Sequence, residues 1–421
     1  MNNSRIIYIP RQLEAVIEPF LARKEAISIV GPRQAGKTTF IENLADRIKR
    51  EGQKIRFITF EKRADLELFN QNIEDFKKIV QQYEVVFIDE FQYGLEGGQK
   101  LKYLYDTTPV KFIISGSSSL ELTFQTGKYM VGRLIEFPLN PFSFREFLLA
   151  RDKEIYNLLE SMPHGDIFDF DLRNVFGREI NAKLAGLLEE YMIFGGYPAA
   201  VLSEKPEEKK KILESIYEKY LLKDIKELLR LATDLELERL GKFLAGQIGR
   251  IVKYQELSNA SGLNYPELKK HLNILVKTYV VSFVLPFFVN KRTELVKNPK
   301  VYFNDLGLRN YSLADWRALE LRNDAGNLAE NYGFILLKNF FGGHIKYWRT
   351  KAKAEVDFII EKEQSVYPIE IKYVSKRLVG KSLFSFIEKF KPPTALILTK
   401  DYLGEEKIGK TKIKFIPLSY F

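Results

Sequence analysis

Cysteine is absent from the 421 residues, and histidine occurs three times. The first absence excludes disulfides, thiolate metal sites and cysteine nucleophiles, and the second excludes histidine-rich metal centres. No apolar run approaches the roughly 20 residues of a membrane span, so no membrane partner is expected. The opening stretch MNNSRIIYIPRQLE contains no signal-peptide core. A cytoplasmic location suits these absences. Internal repeats, low-complexity tracts and long disordered linkers are missing too. What is left is 45% hydrophobic and 29% charged, the balance of a globular protein. Its length allows about two to four domains.

The formal net charge is +10. Residues 331–421 hold 17 Lys/Arg against 9 Asp/Glu, a surplus of 8, so most of the imbalance lies in the last part of the chain. Such a surplus suits an anionic partner such as DNA, and it also suits plain solubility.

The stretch that organises the chain is Gly31-Pro32-Arg33-Gln34-Ala35-Gly36-Lys37-Thr38, which fits G-x-x-x-x-G-K-[ST]. Ala26 to Val30 before it reads as a buried strand. Thr39 to Lys49 after it has helical spacing, with Phe40, Ile41, Leu44 and Ile48 on one side. Strand, glycine turn and helix N-terminus make a phosphate cradle of backbone N–H groups and helix dipole. In it Lys37 reaches the β/γ-phosphates of ATP, the Thr38 hydroxyl ligates Mg²⁺, and Gly31 to Thr39 line the nucleotide. The run Val85-Val86-Phe87-Ile88-Asp89-Glu90 reads as a parallel strand bringing two acids to its C-terminal end. Asp89 is assigned to the Mg²⁺ shell and Glu90 to the attacking water. Val110 to Ile114 is the next strand. One of the serines that follow can sense the γ-phosphate; which one is open, and Ser117 is the candidate. Arg133 is either an arginine finger for a neighbouring subunit or a surface arginine. An N-terminal helix over Arg11 to Leu21 is expected to break at Pro19.

Residues 141–233 read as a helical lid, with Leu184, Leu187, Leu188, Tyr191 and Met192 at helix spacing and Gly195-Gly196-Tyr197-Pro198 as a stop. Val252 to Phe288 reads as a winged helix: a short helix at Tyr254–Ala260, a turn at Ser261–Asn264 and a second helix capped by Asn264. Leu268, Leu272 and Leu275 face inward there, which leaves Lys269, Lys270, His271 and Asn273 closer to solvent. This module either contacts DNA or spaces domains. Lys291–Lys300 is the most linker-like segment.

Residues 326–421 read as helix, three strands, helix and two strands. Glu330 lies on the first helix, Asp357 on the second strand, and Glu370 and Lys372 on one face of the third. Two carboxylates can hold Mg²⁺ while a lysine activates water or stabilises a pentacovalent phosphate. Lys346, Arg349, Lys351 and Lys353 either track phosphates beside this site or are simply solvated.

Taken together, GPRQAGKTT, VVFIDEFQ, FIISGSSSL and GRLIEFPLNPFSFREFL, with FGGYPAAV and YEKYLLKDIKELL further on, resemble the AAA-type ATPases of the archaeal and bacterial STAND-related group. The spacing of Asp357 from Glu370-Ile371-Lys372 resembles the PD-(D/E)xK nuclease superfamily, with Val356 in place of the leading proline. The resemblance implies an α/β chain: a P-loop ATPase core over 1–140, a helical lid over 141–233, a winged helix over 234–300 and a restriction-endonuclease-like domain over 301–421. It implies a Mg-dependent ATP hydrolase acting on DNA, branched forms included, as a homo-oligomer with a hexamer as one form. Cleavage would fall to Glu330, Asp357, Glu370 and Lys372. The alternative it leaves open is a STAND-like regulatory switch with protein partners and an idle nuclease-like docking domain.

Overall fold

A computed structural model describes residues 8–116, 129–162, 165–173, 175–219, 235–290, 292, 294 and 297–421. Ser117 and residues 220–229 lie outside the described residues. The chain forms two compact units, Met1–Phe142 with Lys277–Tyr279, and Ser143–Val276 with Val280–Phe421.

The first unit is built on five parallel strands, β1 (Ala26–Val30), β2 (Ile55–Thr59), β3 (Val85–Asp89), β4 (Lys111–Gly116) and β5 (Leu134–Pro138), in the order β2-β3-β4-β1-β5. β1 and β3 are buried along their whole length, as apolar runs covered on both faces should be. Alternation divides their side chains. Ile27, Ile29, Phe87 and Ile113 pack with Ile17, Phe40, Ile41, Leu44 and Ile48 on one face. Val30, Val86, Ile88, Phe112 and Ile114 pack with Phe60, Phe69, Phe76, Phe91 and Leu104 on the other. Each such side chain contributes about 1.5–3 kcal/mol of burial. Because the strands are parallel, the ends of β1, β3 and β4 that carry the P-loop, Asp89 and Ser115 all lie along one edge. The helix Leu13–Leu21 runs through Pro19 rather than breaking there. Proline falls in its last turn, where one missing N–H costs little continuity.

The second unit carries eight strands in one sheet: β6 (Val281–Pro286), β7 (Lys300–Phe303), β8 (Ile345–Arg349), β9 (Glu355–Lys362), β10 (Ser365–Lys372), β11 (Thr394–Thr399), β12 (Gly404–Ile408) and β13 (Thr411–Pro417), ordered β12-β13-β11-β10-β9-β8-β6-β7. The β6–β7 pair is the antiparallel hairpin after the helix-turn-helix Tyr254–Ser261 and Tyr265–Lys277. β6 also pairs parallel with β8, so the sheet runs across the position expected to separate domains at 300/301. The helix Lys381–Phe390 covers one face through Leu383, Phe386 and Ile387. The helix Ala325–Phe341 packs on the same strands, with Gly333 hard against Ile371 and Phe358. The β12–β13 hairpin adds one strand to those expected.

His271 is buried, 2% exposed, not near solvent. At three residues from Leu268 and four from Leu275 it shares their stripe, and its Nδ1 lies 2.7 Å from the Glu267 carbonyl oxygen. Asn264 caps the helix as expected, accepting from Glu267 N at 3.0 Å.

A buried polar knot joins the helices of this unit. The helix Arg178–Phe194 stops at Gly195, whose φ of +72° suits glycine. Asp305 caps the helix Leu306–Leu313 and accepts from Leu308 N at 2.9 Å and Gly196 N at 2.8 Å. Asn310 Nδ2 donates to the Met192 and Ile193 carbonyls, each at 2.9 Å. Arg309 Nη2 meets Asp324 at 2.7 Å. A Cβ on Gly307 would drive into the Phe194 carbonyl.

Two predictions follow from this packing. Gly307→Ala should destabilise the protein by about 1–3 kcal/mol, because the obstacle is backbone and cannot rotate away. Gly186→Ala, mid-helix with no atom within 4 Å of the new Cβ, should stabilise it by about 0.5–1 kcal/mol. Urea unfolding of both variants checks the pair, and equal midpoints would refute the close approach.

A third concerns pH. Burial pushes the Asp305 carboxyl up to about 6 against the pull of three backbone N–H groups. A folded value above the unfolded one near 4 makes this group most favourable below about pH 4, and the benefit is lost as pH rises through about 6. Relative to wild type, Asp305→Asn should therefore gain up to about 3 kcal/mol between pH 4 and 7. A pH-independent difference in unfolding midpoints would contradict this.

Candidate nucleotide site and acid–lysine cluster

β1 ends at Val30, and Gly31 presses so closely on the Leu139 backbone that any Cβ would collide with it. The loop turns through Gln34 at φ +60° and Gly36 at φ +91°, and the helix Lys37–Arg50 begins. Its first-turn N–H groups have no intrahelical acceptor and face the loop. Lys37 is 6% exposed and folds back to donate from Nζ to the carbonyls of Gly31 at 3.1 Å and Pro32 at 2.8 Å. Burial lowers its ammonium to about 8, while Glu90 and Asp89 oppose the shift. Thr39 follows in the same turn, half-buried.

Asp89 ties three elements together. Its Oδ2 accepts from Thr38 Oγ1 at 2.8 Å, and its Oδ1 accepts from Ser115 Oγ. A carboxylate and a hydroxyl converging at a helix N-terminus are hard oxygen donors. They suit Mg²⁺, which takes one or two carboxylates and fills its remaining positions with phosphate oxygens and water. Glu90 follows at φ +53° and accepts on Oε2 from Gln92 Nε2. Burial raises its pKa, which makes its carboxylate a stronger base for a water proton.

The edge of the sheet thus brings together Lys37, Thr38, Asp89 and Glu90. It does not bring Arg133. Arg133 precedes β5, its carbonyl accepts from Ala26 N at 2.8 Å, and its Nε pairs with Asp106 at 2.9 Å. In parallel strands that is the opposite edge, a five-residue strand or about 17 Å away. Ser115, the first of the serines left open after the run Phe112-Ile113-Ile114, orients Asp89. Arg11 was missed from sequence. Arg11, 6% exposed, donates to the Ala35 carbonyl at 3.0 Å and the Asn140 carbonyl at 2.6 Å, bracing the P-loop from behind. No local pattern signals a partner 24 residues on.

A second cluster lies in the other unit. The pair Phe358↔Ile369 puts Asp357 of β9 and Glu370 of β10 at the next positions of neighbouring strands. Asp357 Oδ2 accepts from Ile371 N at 2.9 Å. Glu370 is 2% exposed, and its Oε2 faces Lys372 Nζ at 3.2 Å. Burial, with Asp357 adding repulsion, pushes Glu370 up to about 7 against the pull of Lys372.

Glu330 lies on its expected helix and is paired there. Its Oε1 accepts from Lys300 Nζ at 3.0 Å and from Tyr302 OH at 2.7 Å. Burial and the Asp357 charge push it up to about 7. Lys300, expected in a linker, is 1% exposed on β7 and also pairs with Glu355 at 2.7 Å. Its signal was a lysine leading the apolar run Val301-Tyr302-Phe303, with Glu355 two residues from Asp357 on one strand face. Lys346 is not beside the cluster: it pairs with Glu294 at 2.8 Å and with Glu361, further along β9. Arg349 meets Glu355 at 2.7 Å, and Lys351 and Lys353 are exposed. Among the described residues, no three His, Cys, Asp or Glu side chains are grouped to hold a metal ion. Asp357 and Glu370 suit one Mg²⁺ that keeps several waters.

Comparison with known proteins agrees with the first of these sites. Residues 23–148 match the AAA domain family. Residues 185–320 and 325–421 match two domains of unknown function, DUF8612 and DUF4143. An uncharacterized protein of Methanocaldococcus jannaschii, MJ1637, is 25% identical over 95% of this chain and 85% of its own. An uncharacterized protein of Haemophilus influenzae is 24% identical over 82% of each chain. The structure of AMPPCP-bound DnaA from Aquifex aeolicus aligns with 64% of this chain and 89% of its own, at 15% identity and a TM-score of 0.31. No described helix is long and apolar enough to cross a membrane. With the P-loop, the parallel strand order and the Asp89 carboxylate in place, residues 23–148 form a P-loop AAA-like core similar to the AAA domain family.

Proposed function

We propose that this chain is a Mg-dependent ATPase whose nucleotide cycle governs binding and processing of DNA, with the acid–lysine cluster as its phosphodiester site. The observation that carries the ATPase reading is Asp89 joined to Thr38 on one side and Ser115 on the other. Thr38 and Asp89 would hold Mg²⁺, which would supply charge neutralisation for the β/γ-phosphates. Lys37 exchanges two loop carbonyls for phosphate oxygens, a stronger charge-assisted bond. Glu90, released from Gln92, takes the proton of the attacking water. In a homo-oligomer Arg133 would be offered to the neighbouring chain's nucleotide.

Support for DNA comes from the helix Tyr265–Lys277. Its outer face exposes Lys269, Lys270 and Asn273, and Lys269 Nζ lies 3.6 Å from the centre of the Tyr254 ring. That contact holds the ammonium at the surface. The cluster would place Asp357 and Glu370 on the metal and Lys372 on the phosphate. A regulatory switch with protein partners is the second reading, favoured by the internal pairing of Glu330 with Lys300.

ATP turnover by the full chain, with and without linear, single-stranded and branched DNA, tests the proposal. DNA should raise turnover, and DNA affinity should fall with salt at a log–log slope near −0.9 per neutralised phosphate. Robust turnover indifferent to every DNA form would favour the regulatory switch.

Two substitutions probe the site itself. Lys37→Ala should weaken ATP binding at least tenfold by fluorescent-nucleotide titration. Glu90→Gln should retain ATP and lose turnover by about 100-fold or more, the scale of a lost general base. Normal turnover in Glu90→Gln would move that role elsewhere.

A further inference from the structure

We propose that Lys300 is a built-in cation of the acid–lysine cluster, standing where a second divalent ion would otherwise bind, so that the cluster takes one ion between Asp357 and Glu370. The inference rests on the phosphodiester-site reading above and narrows it.

Lys300 enters from β7, a strand outside the Asp–Glu-x-Lys motif, and is 1% exposed. Its ammonium spans Glu330 Oε1 at 3.0 Å and Glu355 Oε1 at 2.7 Å. A cation bridging two carboxylates is what a metal ion does. Tyr302 fills a further place on Glu330 Oε1 at 2.7 Å. From the other side the Gly249 backbone, at φ +71°, approaches so closely that a Cβ there would lie 3.0 Å from the Glu330 carboxylate. Glu330 Oε1 is thus already taken by an ammonium and a phenol, and backbone lies close to the carboxylate.

The other half of the cluster is arranged differently. Asp357 has one oxygen fixed by Ile371 N, and the buried Glu370 Oε2 faces Lys372 Nζ at 3.2 Å rather than a backbone donor. Charge agrees with one ion. Glu330, Glu355, Asp357 and Glu370 supply four negative charges, and Lys300, Lys372 and Arg349 supply three positive ones, leaving −1 when all are ionised. One divalent ion turns the cluster to +1, enough to draw a phosphate, whereas two would crowd +3 around a fixed ammonium.

The test counts Mn²⁺ by electron paramagnetic resonance in the full chain carrying Asp89→Asn, without nucleotide, so that the P-loop site is silent. One ion per chain is expected, falling to none with Asp357→Ala. Lys300→Met should raise the count to two, since Glu330 and Glu355 then lack their cation. Should Lys300→Met fail to fold, Lys300→Met with Glu330→Gln removes one charge of each sign and should fold with a single ion. Two ions in the parent chain would overturn the role of Lys300 and leave the phosphodiester reading standing. No ion in the parent but one in Lys300→Met would uphold Lys300 as the occupying cation and sink the metal-dependent reading. No ion in either would overturn both.

Discussion

A charge withdrawn from water must find a fixed partner, and this constraint shapes both units. In the first, Asp89 gives one oxygen to Thr38 and the other to Ser115, while Lys37 is satisfied by two carbonyls. In the second, Lys300 is shared between Glu330 and Glu355, and Arg309 and Arg322 close on Asp324. For Asp89 and Lys300 the partners come from different strands and helices, so these charges are compensated only after the sheets have their correct register. Removing one partner from such a pair leaves an uncompensated buried charge, at a cost of about 3–5 kcal/mol. The chemistry and the fold are therefore specified by the same contacts.

What the sequence made legible is what sits within one element. The P-loop is contiguous, and its conformation is set by two glycines and the strand and helix that flank it. Asp89 and Glu90 end an apolar run, so their edge of the sheet could be read directly. Asp357, Glu370 and Lys372 were readable because strand alternation fixes their faces. The strands of the last part of the chain were bounded by turns and fell near where they were expected.

What stayed hidden depends on pairing between distant segments. Arg11 reaches Ala35 and Asn140, and Lys300 reaches Glu330 and Glu355, through approaches that no local spacing encodes. His271 was misplaced because its polarity outweighed its position, although it lies on the leucine stripe of its helix. The 300/301 boundary was placed for a related reason: β6 belongs to the Val252–Phe288 module by sequence, but its free edge is taken by β8. An exposed strand edge seeks a partner, and here the partner lies some 60 residues on, from Leu285 to Lys346.

That shared edge has a consequence for how the second unit can work. Lys300 forms a bridge with Ile251, and Gly249 N donates to Val301 O at 2.9 Å, so the segment before the helix-turn-helix is stitched to the strand that carries the cluster's lysine. The same Gly249 backbone closes on Glu330. A displacement of this segment relative to β7 would strain the Lys300–Glu330 pair, because a buried ion pair loses its compensation over an ångström or two. The segment before the helix-turn-helix and the strand carrying Lys300 are therefore joined by backbone hydrogen bonds beside the Lys300–Glu330 pair.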